Sequence, residues 1–353
     1  MLSFELKNFV VSPSLVANYW KKHPLSLGNG SFPLHNTSKY SDGNTTAALS
    51  ISSSSFSIWS LATKENTSRN NAAASSSDSI QEREEEEEEY KVLTAMRSSY
   101  NDIVIVDTAK ARMLLLDSTH NVHSILNKGQ KWTGSYWDEF ASLPAIIPEG
   151  PIAILGLGAG TAAHLMLDLW PSLELEGWEI DRILIDKARQ YFGLSDLEKP
   201  TTAGGILNVH IDDALSPTEN DSGKYAGIVI DLFCEGKVLP QLQEVATWLK
   251  LNGRLMANGR IMANCGGINE KSDNADGTIH PESIDGTWIE NSTIKTLSEA
   301  FPGQVNWKRM PETQGANYLA LTGPLPDLTL WSSKVPDPLS ENVRRWRPCG
   351  SIL

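Results

Sequence analysis

Apolar and polar positions alternate in two different ways along this chain, and the change comes near residue 90. Upstream, no apolar period runs long enough to build a core. Downstream, short β-branched runs and helical spacings follow one another. Asp102–Asp107 (Asp-Ile-Val-Ile-Val-Asp) predicts a strand, and Arg112–Asp117 (Arg-Met-Leu-Leu-Leu-Asp) predicts a second after a short turn. Together they read as a β-hairpin or small sheet. Ser135–Leu143 predicts a short helix carrying Tyr136, Trp137 and Phe140. Pro151–Gly156 is an almost unbroken apolar run, as in a strand buried on both faces. It leads into Gly156-Leu157-Gly158-Ala159-Gly160 and then into helical spacing over Thr161–Trp170.

The alternation continues. Strands are predicted at Leu173–Glu179, Ile206–Ile211, Gly227–Asp231, within Gly253–Cys265, at Gln304–Arg309 and at Asn317–Thr322. Helices are predicted at Asp181–Phe192, Leu239–Leu251 and Asn291–Ala300. This order predicts an α/β fold: a Rossmann-like, doubly wound sheet of methyltransferase type with right-handed crossovers, preceded by a small N-terminal β-strand domain. The expected division is 1–89 as disordered leader and acidic linker, 90–145 as the β-strand domain, 146–325 as the nucleoside-binding domain and 326–353 as a tail.

One local oddity sits inside the fifth strand. Gly253-Arg-Leu-Met-Ala-Asn258 is followed at once by Gly259-Arg-Ile-Met-Ala-Asn264. One copy suffices for a strand, and a shift of six is even, so either copy presents the same faces. One copy is expected to form the strand and the other to bulge or extend the adjoining loop.

Composition changes the picture for the first 89 residues. Residues 1–79 hold 24 Ser or Thr, and the first 64 carry two acids (Glu5, Asp42) against five lysines. A Ser-rich, acid-poor, Arg-poor leader points to a plastid transit peptide; a plain cytoplasmic protein with a disordered tail is the alternative. Glu82, Arg83 and Glu84–Glu89 follow, a self-repelling run expected to be a solvated linker. The whole chain of 353 residues carries a formal charge of −13, which argues against a nucleic-acid partner. No stretch approaches ~18 consecutive apolar residues, so no membrane span is expected. Cys234, Cys265 and Cys349 are too few and too scattered for a disulfide framework or a metal site.

Candidate chemistry gathers where the predicted parallel strands end. In doubly wound sheets, ligands bind outside those carboxyl ends. The first strand ends in Gly156, Gly158 and Gly160, which let backbone approach a ligand ahead of a helix N-terminus. The second ends at Glu179, nineteen residues after Gly160, where a carboxylate can accept ribose hydroxyl protons. The third ends at Asp212-Asp213, where a carboxylate can accept from an adenine amino group. The fourth ends at Asp231, against the reacting end of a ligand. Each acid alone reads equally well as a strand-end cap. The dinucleotide fingerprint wants its third glycine where Thr161 stands, so the spacing favours an adenosyl sulfonium over a nicotinamide cofactor.

The order Tyr100-Asn101-Asp102-Ile103, Arg112 to Leu116-Asp117-Ser118, Tyr136, the glycine loop, Trp178-Glu179-Ile180-Asp181 and Asp231 resembles the spermidine synthase family. These are polyamine aminopropyltransferases within the S-adenosylmethionine-dependent methyltransferase superfamily, and the chain reads as a divergent, plant-type branch. The resemblance covers roughly residues 90–325. It implies S-adenosylmethionine or its decarboxylated form as co-substrate, no metal, a small-molecule acceptor of polyamine type and a homodimer. It implies Asn101, Gly156, Gly158, Gly160, Glu179 and Asp213 as the nucleoside set, and Asp231 and Tyr136 as the catalytic pair.

The departures concentrate in the amine half. Ala159 stands where the family's loop usually carries an acid. Tyr136-Trp137 replaces Tyr-His, and the glutamine expected after Asp117-Ser118 is missing among Thr119–His123. The Asp-Ser-x-Asp-Pro loop reads Asp231-Leu-Phe-Cys-Glu-Gly236. Three functions follow as alternatives: aminopropyl transfer to a polyamine, methyl transfer to a small acceptor, or non-catalytic nucleoside binding. His120 and His123 are expected to be loop residues rather than metal ligands, and His164 a packed or solvent-facing helix residue. Cys234 is expected to be a simple loop residue, and Trp132 and Trp137 core, interface or pocket cover. The basic Arg344–Arg347 segment is expected to be a docked terminus.

Overall fold

A computed structural model describes residues 90–350, apart from 120, 217–222, 268–286, 312–313 and 315. The leader and linker expectations fall on residues 1–89, outside those described. The first sheet is antiparallel, in the order β1 (Tyr90–Arg97), β2 (Asp102–Thr108), β3 (Ala111–Leu115), β4 (Ser124–Asn127). The predicted pair was its centre. Ile103, Ile105 and Leu114 turn into the main core, while Val104, Val106, Met113 and Leu115 form a cluster on the other face.

Helix α1 (Tyr136–Phe140) is shorter than predicted, because Pro144 continues the chain as a tight 3-10 turn over Leu143–Ile146. The main sheet then begins. β5 (Ile152–Leu155) is wholly buried and leads through the glycine loop into α2 (Thr161–Leu169). β6 (Glu174–Glu179), α3 (Arg182–Tyr191), β7 (Ile206–Ile211) and β8 (Tyr225–Ile230) follow. A two-residue hairpin, β9 (Phe233–Cys234) with β10 (Lys237–Val238), comes directly after Asp231. α4 (Val245–Gly253), β11 (Leu255–Asn264), α5 (Ser292–Ala300), β12 (Val305–Arg309), β13 (Tyr318–Thr322), α6 (Leu328–Lys334) and β14 (Arg347–Pro348) complete the order.

The eight strands lie as β14-β12-β13-β11-β8-β5-β6-β7. β7, β6, β5, β8 and β11 are mutually parallel, and β13 enters antiparallel beside β11. This is the Rossmann-like, doubly wound arrangement of methyltransferase type that the sequence predicts. The order reverses between β5 and β8, so their carboxyl ends open a crevice. Two cores flank the sheet. One holds Ile154, Val229, Met166 and Leu184, and the other Leu155, Ile230, Trp248 and Leu297. The tail is docked: Trp346 is buried and stacks on Trp331 at 6.1 Å, and β14 pairs with β12.

The repeat resolves as expected. The second copy pairs Arg260–Ala263 with Gly227–Ile230 of β8. The first copy holds register only at Leu255, opposite Tyr225. The step from Leu255 to Arg260 therefore spans only Tyr225 to Gly227, and the excess bulges at Met256–Gly259. Ala257 and Asn258 are exposed there, and Asn258 takes φ 64°.

Candidate active site

The carboxyl ends of β5, β6, β7 and β8 open onto a cavity of about 1520 Å³, roofed by the antiparallel sheet and α1. Asn101, Tyr136, Gly156, Gly158, Glu179, Asp213 and Asp231 all line it; Gly160 does not.

The glycines explain themselves by geometry. Gly156 has φ 89°, and a Cβ there would sit 2.2 Å from the Asp231 carbonyl oxygen. Only glycine lets the ends of β5 and β8 approach this closely. Gly158 (φ 56°) lies against Ser124 Oγ, and Gly160 (φ 89°) against Leu194 while it starts α2. Gly160 is thus a packing and turn residue, not a cavity residue. The loop's amides are committed within the protein. Gly156 N and Leu157 N donate to Trp178 O, Gly158 N to Glu179 Oε2 (3.1 Å), Ala159 N to Ser124 Oγ (2.9 Å) and Gly160 N to Leu157 O.

Glu179 is anchored by Gly158 N and by Asp181 N (3.1 Å to Oε1). Burial raises its affinity for a proton although these amides oppose the shift. Two amides leave the carboxylate lone pairs for a ligand hydroxyl. Asp213 is exposed and closes its own turn by accepting from Leu215 N at 2.9 Å. Asn101 points its amide to Asp181, the N-cap of α3, at 2.8 Å, and Ser98 Oγ donates to the same carboxylate oxygen. Asn101 therefore ties the β1–β2 turn to the main sheet at the cavity edge.

Asp231 ends β8, and three donors converge on it. Tyr136 Oη (3.1 Å) and Trp137 Nε1 (3.2 Å) donate to Oδ2, and Asn264 Nδ2 (3.0 Å) donates to Oδ1. Burial pushes Asp231 up to about 6, with the three hydrogen bonds pulling the other way. Tyr136 is raised well above its ordinary range by burial and by the neighbouring Asp231 charge, so it stays a donor. Sequence reasoning missed Asn264, since its role appears only once β11 lies beside β8. Trp137, expected as core, interface or pocket cover, is buried in the main core and lines the cavity, and its indole N–H also donates to Asp231.

Helix α1 is held rigidly for this task. Asp138 accepts from Thr133 N (3.0 Å), Thr133 Oγ1 (2.7 Å) and Gly134 N (2.8 Å), and burial pushes it up to about 6. Glu139 is fully buried and pairs with Lys308 of β12 at 2.7 Å.

Seven carboxylates and two arginines line the cavity. One arginine, Arg97, is already paired with Asp102. The space is acidic and attracts cations. Among the described residues, no cluster of three or more metal-ligating side chains occurs, and no helix is long and apolar enough to cross a membrane.

No protein-family model matches the chain. Over 220 residues it is 24% identical to a probable polyamine aminopropyl transferase of Bifidobacterium longum, a match covering 62% of this chain and 46% of that protein. A shorter match, 36% identical over 87 residues, is to a trans-aconitate 2-methyltransferase of Streptomyces coelicolor; it covers 23% of this chain and 27% of that one. The chain thus spans less than half the length of either relative. Among solved structures it is similar to a spermidine synthase of Thermotoga maritima, with TM-score 0.47, 15% identity, and coverage of 66% of this chain and 72% of that chain. It is also similar to human methyltransferase-like protein 13 in complex with SAH, with TM-score 0.41, 18% identity, and coverage of 60% and 90%.

Proposed function

We propose that the chain binds an adenosyl sulfonium, S-adenosylmethionine or its decarboxylated form, and passes an alkyl group from its sulfur to the nitrogen of an amine. The observation that carries this reading is the pairing of Glu179 and Asp231 in one acidic cavity whose glycine-loop amides are already satisfied. A pyrophosphate would need those amides free and would meet a wall of carboxylates. A cationic nucleoside without phosphates has neither difficulty.

The residues present fit such a group. Glu179 can take the ribose hydroxyls and Asp213 the adenine edge. The sulfonium supplies an electrophilic carbon activated by its positive sulfur. Asp231 keeps one acceptor position on Oδ1 after its three donors are counted, enough to anchor one N–H of an amine. The cavity exceeds the ~300–1,000 Å³ of ordinary ligand sites, which leaves room for a nucleoside and an extended acceptor together. These features favour aminopropyl transfer to a polyamine.

A second reading, methyl transfer, rests on Ala159. It is buried beneath Ser124, so no carboxylate projects from the loop to repel a sulfonium that still bears its own carboxylate. Product analysis separates the readings. The full chain is incubated with each sulfonium and putrescine or spermidine, and products are followed by mass spectrometry. Methylthioadenosine with a lengthened polyamine is the expected outcome. S-adenosylhomocysteine with a methylated acceptor would select the second reading, and no product from either sulfonium would refute transfer.

A further inference from the structure

A helix of five residues does not hold itself in place. α1 has no side-chain bond from Ser135 at its N-cap, yet its first two residues supply two of the three donors on Asp231. The ties that fix it come from elsewhere. Trp170 Nε1, just after α2, donates to Ala141 O at 2.8 Å. Trp331 Nε1 of α6 donates to Ser142 O at 2.9 Å, and Lys334 Nζ of α6 to Ala145 O at 3.4 Å. Trp331 is buried and stacks on Trp346, so this tie is rooted in the docked tail.

Another tie is ionic. Glu139 and Lys308 of β12 are 0% and 2% exposed, and Lys308 Nζ lies 2.7 Å from Glu139 Oε1. The same ammonium donates to Asn342 O at 2.9 Å, at the end of the short helix Leu339–Asn342. Lys308 therefore joins α1 to the tail through one atom. Among the described residues, no other donor reaches the Glu139 carboxylate. Asp138 on α1 and Arg345 in the tail are further charges that bear on the pair. A buried ion pair stabilises little over packed apolar side chains of similar volume. What it adds is direction. Apolar contact is non-directional, whereas an ammonium shared between a carboxylate and a carbonyl has a defined place to sit.

We propose that Lys308 and Trp331 are positioning residues: through Glu139 and Ser142, the C-terminal segment sets α1 at the depth where Tyr136 and Trp137 reach Asp231. The tail is then part of the candidate active site, although none of residues 326–350 lines the cavity. The consequence for chemistry rests on Asp231 as the amine anchor of the proposed function; the test is read without ligand, so the two fail separately.

The test uses the full chain labelled with ¹⁵N-tryptophan. The Trp137 indole resonance, assigned by W137F, reports the bond to Asp231, and its pH titration reports the Asp231 proton, taken up at about 6. Tyr136 of α1 and His123 of the β3–β4 loop are the titratable groups whose charge bears on Asp231, and both are kept in every variant. K308M leaves Glu139 buried without its counter-charge and should lower the melting temperature by about 5 °C or more. E139L/K308M removes one charge of each sign, leaves the net charge unchanged and should recover that stability. Its Trp137 resonance should nonetheless move toward that of a free indole. Its titration midpoint should rise by about half a pH unit or more, because the Asp231 anion loses donors. W331F keeps a packed ring but removes the N–H to Ser142 O, and should move both readings in the same direction. A wild-type Trp137 resonance and midpoint in folded E139L/K308M, or in W331F, overturns the assignment. Absence of sulfonium binding by the wild-type chain would overturn the proposed function and leave the positioning of α1 standing.

Discussion

Asp231 is useful because of what surrounds it. An isolated buried carboxylate would simply take up a proton, but Tyr136, Trp137 and Asn264 keep it available as an anion near neutrality. Removing a donor should therefore show in the titration. Y136F takes one stabilising bond from the anion, so the acid limb of amine binding should move upward from about pH 6. An unmoved limb in calorimetric titrations against pH would exclude Asp231 as the group that limits it. Stability follows the opposite course. Asp231 and Asp138 both rise from 3.8 to about 6 on folding, so the folded state holds their protons more tightly. Their contribution is full below about pH 4 and is lost as pH rises through 6, on the order of 2–3 kcal/mol for each. D231N should flatten part of that slope in urea denaturation curves between pH 4 and 7, and an unchanged slope would contradict the assignment. At this scale the sequence is half legible. Glu179 and Asp231 are readable because strand ends are readable. Asn264 is not, because it meets Asp231 only after β11 joins β8.

At the level of elements, the glycine loop and the repeat make the sharpest demands. Gly156 sits at φ 89° with the Asp231 carbonyl where a methyl group would go. G156A should destabilise the chain by on the order of 3–4 kcal/mol and abolish nucleoside binding. A denaturation midpoint close to wild type would mean that β5 and β8 do not approach as described. The tandem repeat predicts the reverse. Deleting Arg254–Gly259 removes the bulge and leaves Gly253 joined to Arg260, a single copy in the same facing register. Arg254 does anchor Ala214 O and Ser216 O at 2.8 Å, but the ladder itself runs through the second copy. The melting temperature should hold or rise, and a fall of more than about 5 °C would show that the bulge is built in for stability. Strand existence was legible along most of this region because buried parallel strands are written in apolar runs. Helix ends were not, since prolines at 144 and 240 divert the chain into 3-10 turns. The edge strands β1, β4 and β14 escaped because pairing, not pattern, defines them.

For the whole molecule, the antiparallel sheet does more than precede the main one. Ser124 Oγ accepts from Ala159 N and Thr161 Oγ1 donates to Ile125 O across the boundary, Asn101 and Ser98 bind the cap of α3, and the Glu139–Lys308 pair fastens α1 to the far strands. The cavity is thus built jointly by two sheets, and its acidity attracts cations. The most direct test is calorimetric titration of the full chain with decarboxylated S-adenosylmethionine, S-adenosylmethionine and methylthioadenosine, each with and without putrescine. The account predicts binding of the sulfonium nucleosides, tighter in the presence of the amine for the decarboxylated form, and loss of that binding in E179A. Absence of binding by all three, or full binding in E179A, would contradict it.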